Sequence, residues 1–388
     1  MKRKKIFRSA AISLILVSTL LFTTAFTNKY QDIVKKLSIL ETVLNEYYVG
    51  EIDHYKLQEG IYKGFVSGIG DAYSTYYTQN EYDASKEEIS GTYTGIGIRM
   101  YLQSEDNSIV IKEVFENSPA ESAGIIANDK IIKVAGKSVS GNEYNLVTKL
   151  ITGTKEEDVQ MTIYRPSQAR TYDLQLTKKK IIYPTVHFKM LDKETAYIQV
   201  SKFEELTHKQ FVEALKQATQ QNASGVVLDL RNNPGGLLRI AKDIVDELIP
   251  EGIIVSTKDK NGKVVEYSAD EEYNDIPLVV LINGGSASAS EVVAGALKDY
   301  SRAKLVGETS FGKGLVQTII PLTDGSAIKL TTSQYFTPSG VCIQGIGINP
   351  DVKVSLSTEK LLRGSLLEET EDDQLQMAIK VLKEDLAK

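Results

Sequence analysis

The chain has 388 residues, 42% hydrophobic and 25% charged, with a formal net charge of −6; that is a globular composition, and the length suits two or three domains. The acidic balance, with no basic run interleaved with aromatics beyond the N-terminus, argues against nucleic acid as a partner. A single cysteine, Cys342, excludes an internal disulfide and cysteine-pair metal sites, and three histidines (His54, His187, His208) leave little for a zinc site, so no cofactor or metal is expected.

Lys2-Arg3-Lys4-Lys5 and Arg8 precede an uncharged stretch from Ser9 to Asn28. A basic start before such a run reads as a secretory signal peptide or a membrane anchor. Thr23-Thr24-Ala25 is a mediocre cleavage site, and the run approaches the about 20 residues that a bilayer requires. Residues 1–28 are therefore assigned to export, whether cleaved or kept as an anchor, and the protein to an extracytoplasmic location.

Residues 29–88 read as helical. Ile33, Leu37, Leu40 and Leu44 recur at three- and four-residue spacings, Leu57 to Val66 forms a second stretch, and a Tyr-rich connector runs from Asp71 to Tyr77. From 89 to 180 the texture changes to short strands: Thr94-Gly95-Ile96-Gly97-Ile98, Ile109-Val110-Ile111, then Asp129 to Lys137 as strand, turn, strand. A short helix at Asn142 to Ile151 and two alternating strands, Val159 to Tyr164 and Thr171 to Leu176, complete it. This order of elements and phrases resembles a PDZ domain. A sheet edge beside one helix leaves a groove in which an extended peptide adds as a strand. Gly95, Ile96, Gly97 and Ile98 form the loop whose N–H groups would meet a terminal carboxylate, although such glycines also serve plain tight turns.

Residues 181–354 read as α/β. Thr195 to Val200 is a strand, Thr207 to Gln220 a helix, and Gly225 to Leu230 and Pro277 to Asn283 are continuous apolar runs of the kind a sheet covered on both faces requires. A helix to Leu248, a helix at 290–300 and strands at 303–307 and 315–320 fill the rest, and the alternation argues for a mostly parallel sheet. Residues 355–388 close with a terminal helix on which Leu375, Ile379 and Leu382 align.

Three glycine-rich loops follow apolar strands: Arg231 to Gly236, Asn283 to Glu291 and Gly307 to Lys313. In open α/β sheets, sites collect where loops leave the carboxyl ends of strands. Ser286, Ser288 and Ser290 precede a helix, where serine is also an ordinary cap; Ser288 lies close to its start, where free N–H groups favour an oxyanion. Gly307 to Lys313 has the outline of a phosphate-binding P-loop, but Gly314 stands where Ser or Thr must ligate magnesium, and a strand follows instead of a helix. Ser310-Phe311-Gly312-Lys313 is a literal Ser-x-x-Lys, yet a poor helix, which that motif demands.

Asp229 to Gly236, Gly285-Ser286-Ala287-Ser288-Ala289-Ser290-Glu291 and Phe311 to Gln317 together resemble the carboxy-terminal processing peptidases, or tail-specific proteases, across nearly the whole mature chain. The resemblance implies a multidomain α/β protein: a crotonase/Clp-protease-like α/β catalytic core, an inserted PDZ domain and an N-terminal helical region. It implies Ser288 as nucleophile and Lys313, 25 positions on, as base, with Gln317 assisting. The oxyanion donors it suggests are the backbone N–H groups of Gly235 or Gly236 with Ala289.

A free lysine leaves only about one amine in 2,500 neutral at pH 7, so Lys313 must be buried, with Phe311 and Leu315 as expected walls. Four residues of extended strand span about 13 Å, so contact between Lys313 and Gln317 requires a bend, expected at Gly314. The implied activity is a serine endopeptidase cutting near unstructured C-terminal tails that the PDZ domain recognises. Its partners are such protein or peptide substrates, the membrane if the N-terminal segment is uncleaved, and a second copy of the chain in a homo-oligomer. The alternative is a catalytically silent secreted PDZ module that only binds peptides.

Overall fold

The computed structural model describes residues 30–363 and 368–387; the export segment, residues 1–28, lies outside them. The chain divides into two compact units, residues 1–68 and 69–388. In the first, a helix over residues 30–47 and the helix His54–Ser67 are joined by an edge-to-face contact of Tyr30 on Phe65, with ring centroids 6.4 Å apart. Asp53 caps the second helix by accepting from the Lys56 N–H.

In the second unit the core is a six-stranded sheet. Its order is Val186–Met190, Thr195–Val200, Gly225–Asp229, Leu278–Ile282, Lys304–Gly307, Val352–Lys353. Only the first pair is antiparallel. The apolar runs follow from burial of both faces. Ile198, Leu228 and Val280 pack under the helices Thr207–Gln220, Leu238–Asp246 and Ala289–Asp299, while Tyr197, Val227, Val279 and Val306 meet Leu375, Val381 and Leu382 of the C-terminal helix Asp373–Leu386. The two-residue period of a strand thus divides one continuous hydrophobic run between two cores.

A second, wholly antiparallel sheet carries Thr75–Tyr77, Ala327–Phe336, Gly252–Asp259 and Val264–Ala269 in that order, with Leu315–Pro321 also on Ala327–Phe336. The mostly parallel expectation therefore holds for one sheet of the core and not the other. The Tyr-rich connector also departs from the sequence reading, since its end pairs as a strand with Ala327, Ile328 and Lys329.

The intervening module is built on the antiparallel strands Ile98–Gln103, Ser108–Val114, Lys130–Val134, Asp158–Arg165 and Arg170–Thr177. A smaller sheet joins Thr92–Gly95 to Lys179–Ile182 and Thr152–Gly153, and the helix Tyr144–Ile151 packs through Val147 and Ile151.

The C-terminal helix is fastened to the core sheet by charge. Arg231 Nη2 lies 2.6 Å from Asp229 Oδ2, and its Nη1 reaches Asp372 Oδ2 at 2.9 Å and Gln374 Oε1 at 3.0 Å. Tyr197 donates to the same Asp229 at 2.7 Å. Removing the guanidinium leaves the buried Asp229 and Asp372 carboxylates without their shared cation. Arg231→Met is expected to destabilise the core by about 3–5 kcal/mol, seen as an earlier urea transition followed by circular dichroism; an unchanged transition would contradict this fastening.

Candidate active site

Because the central strands are parallel, the loops after Asp229, Ile282 and Gly307 all leave the same edge of the sheet. They meet at one cavity of about 380 Å³, lined by Ser288, Ala289, Lys313, Gln317, Gly235 and Gly236 together with apolar Leu237, Leu238, Val292 and Ile319. No histidine lines it. His208 is paired with Glu247 at 2.8 Å, and His187 lies near Arg99 and Glu113.

The three serines have different fates. Ser286 is fully buried, donating to Leu230 O at 2.8 Å and accepting from the Asn283 N–H at 3.0 Å. Ser290 is also fully buried and donates to Asn233 O at 2.9 Å. The Ser290 hydroxyl thus ties the serine loop to the Arg231–Gly236 loop, and that of Ser286 ties it to the residue just before that loop. Ser288 is half-buried and holds φ 55, ψ −113. A non-glycine residue keeps that conformation only where its surroundings over-determine it.

Close approach explains the neighbouring glycines. At φ +103, a Cβ on Gly235 would stand 2.8 Å from both Ala287 O and Ser288 Cβ; one on Gly236 would stand 2.1 Å from Phe203 O. The oxyanion candidates are thereby distinguished. Gly235 donates its N–H to Asn233 Oδ1 at 2.9 Å, whereas the N–H groups of Gly236 and Ala289 make no hydrogen bond among the described residues. Ala289 opens an eleven-residue helix, whose first N–H groups have no intrahelical partner.

Lys313 is half-buried, with Nζ 4.7 Å above the centre of the Tyr73 ring. Burial holds its ammonium below the usual lysine range, reinforced by the Lys329 charge; Asp71 and Glu291 oppose the shift. No hydrogen bond joins Lys313 Nζ to Ser288 Oγ or to Gln317 among the described residues. Gln317 Nε2 donates to Thr331 Oγ1 at 3.3 Å. The bend expected at Gly314 lies on either side of it, at Gly312 with φ +88 and in a β-bulge between Val316 and Gln317. Gly314 instead allows close packing, since a Cβ there would stand 2.7 Å from Gln344 N. Of the expected walls, Leu315 lines the cavity, whereas Phe311 is 57% exposed.

A group without an assigned role in the sequence reading organises both loops. Glu291 is fully buried. Its Oε1 accepts from Ser310 Oγ at 2.5 Å and Gly312 N at 2.7 Å; its Oε2 accepts from Ser288 N at 2.8 Å and Lys313 N at 2.9 Å. The Ser-x-x-Glu spacing of a capping box is the signal that finds it. Tyr73, Lys329 and Tyr335 carry no such local pattern. Among the described residues, no group of three or more His, Cys, Asp or Glu is arranged to hold a metal.

In the module at 89–180, the helix Tyr144–Ile151 and the strand beginning at Ile98 line a cavity of about 720 Å³, together with Tyr93, Arg99 and Tyr183. Ile96 is buried in the module's core, and Gly97 has φ +86, its carbonyl accepting from the Phe115 N–H at 2.9 Å. The N–H groups of Gly97 and Ile98 face the Tyr93 phenol. This second cavity shares Glu88, Lys202 and Glu204 with the one around Ser288.

Comparison with known proteins agrees with this architecture. Residues 194–354 match the model of peptidase family S41, and residues 94–176 that of the PDZ domain. The carboxy-terminal-processing protease of Bartonella bacilliformis is 36% identical over 375 residues, covering 94% of this chain and 85% of its own. The chain belongs to peptidase family S41. The carboxy-terminal processing protease CtpA of Bacillus subtilis is 38% identical over 318 residues, covering 81% of this chain and 67% of its own. The solved structure of an S41 protease from Bacteroides fragilis shares the fold, with a TM-score of 0.56 at 16% identity, covering 87% of this chain and 92% of its own.

The charges around Lys313 give a signed expectation for this S41 peptidase. Lys329→Met removes a neighbouring positive charge, so the Lys313 ammonium should lose its proton less readily. If activity requires the neutral amine, the acid limb of kcat/KM on a peptide substrate should move to higher pH. An acid limb unmoved or displaced to lower pH would contradict the assignment.

Proposed function

We propose that this protein is an exported serine endopeptidase that cleaves protein substrates near unstructured C-termini through Ser288 and Lys313. The observation that carries this reading is the strained Ser288 at the start of a helix, sharing one apolar cavity with a lysine whose ammonium is destabilised by burial.

In the reaction, neutral Lys313 Nζ takes the Ser288 Oγ proton as the oxygen attacks the scissile carbonyl. The Gly236 and Ala289 N–H groups, assisted by the helix dipole, stabilise the resulting oxyanion. Collapse expels the amine, which takes from Lys313 the proton that came from Ser288. Water then attacks the acyl group as Lys313 takes its proton, and Lys313 returns that proton to Ser288 Oγ as the acid leaves. The starting arrangement leaves the amine over Tyr73, so a side-chain rotation precedes attack. Catalytic hydrogen bonds are often loose before substrate binds. Gln317, being neutral, serves the amine without raising its pKa.

The PDZ cavity supports recognition of the substrate tail by strand addition, and its shared border with the reactive cavity supports threading of one extended chain past both. The basic, then uncharged, N-terminus supports export, with the segment either removed or retained as an anchor.

Ser288→Ala should abolish cleavage of a peptide. Ser286→Ala and Ser290→Ala should retain turnover, each with stability lowered by about 1–3 kcal/mol for the unpaired buried groups left behind. Steady-state cleavage assays with thermal melts decide this; normal turnover by Ser288→Ala would refute the assignment.

A further inference from the structure

Ser288 and Lys313 stand on separate loops, yet the same two side chains engage the backbone of both. On the amide side, Glu291 Oε2 accepts both N–H groups. On the carbonyl side, Tyr335 Oη lies 3.0 Å from Ser288 O and also donates to Lys313 O. Tyr335 is 2% exposed and lies on the strand Ala327–Phe336, where its own N–H donates to Gly314 O at 3.0 Å. Its ring also borders the reactive cavity.

The consequence is geometric. A residue's N–H lies in the peptide plane before it and its C=O in the plane after it, so holding both restrains φ and ψ together. Ser288 needs that restraint, because φ 55, ψ −113 is not a conformation it would hold freely. A phenol has one proton to donate, so the two carbonyls must converge on one point to share it.

We propose that Tyr335 is a positioning residue for the Ser288–Lys313 pair, drawing their backbone carbonyls together while Glu291 draws together their amides, so that the placement of Oγ relative to Nζ is set from both sides. This rests on the assignment of Ser288 and Lys313 as nucleophile and base. Burial, with the Glu291 carboxylate nearby, holds the Tyr335 phenol well above the usual tyrosine range. It therefore remains a donor throughout the pH range in which a depressed lysine titrates.

The test is Tyr335→Phe, which removes only the hydroxyl, compared with Ser288→Ala and the parent protein. The expected result is a fall in kcat of about 10- to 100-fold, KM changed less than about twofold, and a thermal midpoint close to the parent's. The acid limb of kcat should also move to higher pH, because a loosened Lys313 regains water around its amine. A kcat within about twofold of the parent would overturn the proposal. So would a loss of activity matched by a loss of folded protein with the acid limb unmoved, which would make Tyr335 a folding residue only. If Ser288→Ala retains turnover, the nucleophile assignment itself fails, whatever Tyr335→Phe does. An inactive Ser288→Ala beside an unimpaired Tyr335→Phe removes the positioning role alone.

Discussion

A carboxylate deprived of water must be satisfied by hydrogen bonds or it neutralises or unfolds its surroundings. Glu291 meets that demand with donors drawn from two loops: Ser288 N from its own, and Ser310 Oγ, Gly312 N and Lys313 N from the other. Ser310 Oγ in turn accepts from the Ile348 N–H at 2.7 Å, bringing in the chain before the last strand of the core sheet. The loops cannot separate without stranding this buried charge. That makes the juxtaposition of serine and lysine a condition of folding and not only of substrate binding.

The rest of the site depends on that closure. Parallel strands deliver three loops to one edge; Gly235 lets the first approach the serine loop closely enough to exclude any side chain, and Gly236 lets it approach Phe203 as closely. The buried hydroxyls of Ser290 and Ser286 fasten the serine loop to that first loop and to the residue just before it. The result is an apolar recess at a helix N-terminus, where an oxyanion finds N–H groups and a lysine finds little water. Both conditions favour acyl transfer by a serine without histidine. Family membership and site chemistry thus rest on different observations that point in the same direction.

Much of this was legible in the sequence where local rules operate. The strand Thr195–Val200 and the helix Thr207–Gln220 have the bounds that their patterns indicate, and the glycine-rich loops after apolar strands mark the site's location. Two kinds of feature were not legible. The antiparallel sheet was largely missed, because Gly252–Asp259, Val264–Ala269 and Ala327–Phe336 hold mostly half-buried or exposed positions and only short apolar runs. The bend before Gln317 was placed at Gly314, but a bulge depends on pairing with Ala327–Phe336, a partner that local sequence does not name. For the same reason Lys329 and Tyr335, both on Ala327–Phe336, carry no signal, and neither does Tyr73, which lies in the connector just before Thr75–Tyr77. Glu291 is the intermediate case, visible as a capping residue but not as the common acceptor for two loops.

The central claim is that acyl transfer passes through Ser288 specifically. Mixing the enzyme with an activated peptide ester, quenching in acid within the first turnover and locating the added mass by peptide fragmentation tests it most directly. The account predicts an acyl group on the Ser288 hydroxyl, with Ser286 and Ser290 unmodified. An acyl group on another residue, or peptide hydrolysis with no covalent intermediate at any quench time while ester and peptide turn over at equal rates, would contradict it.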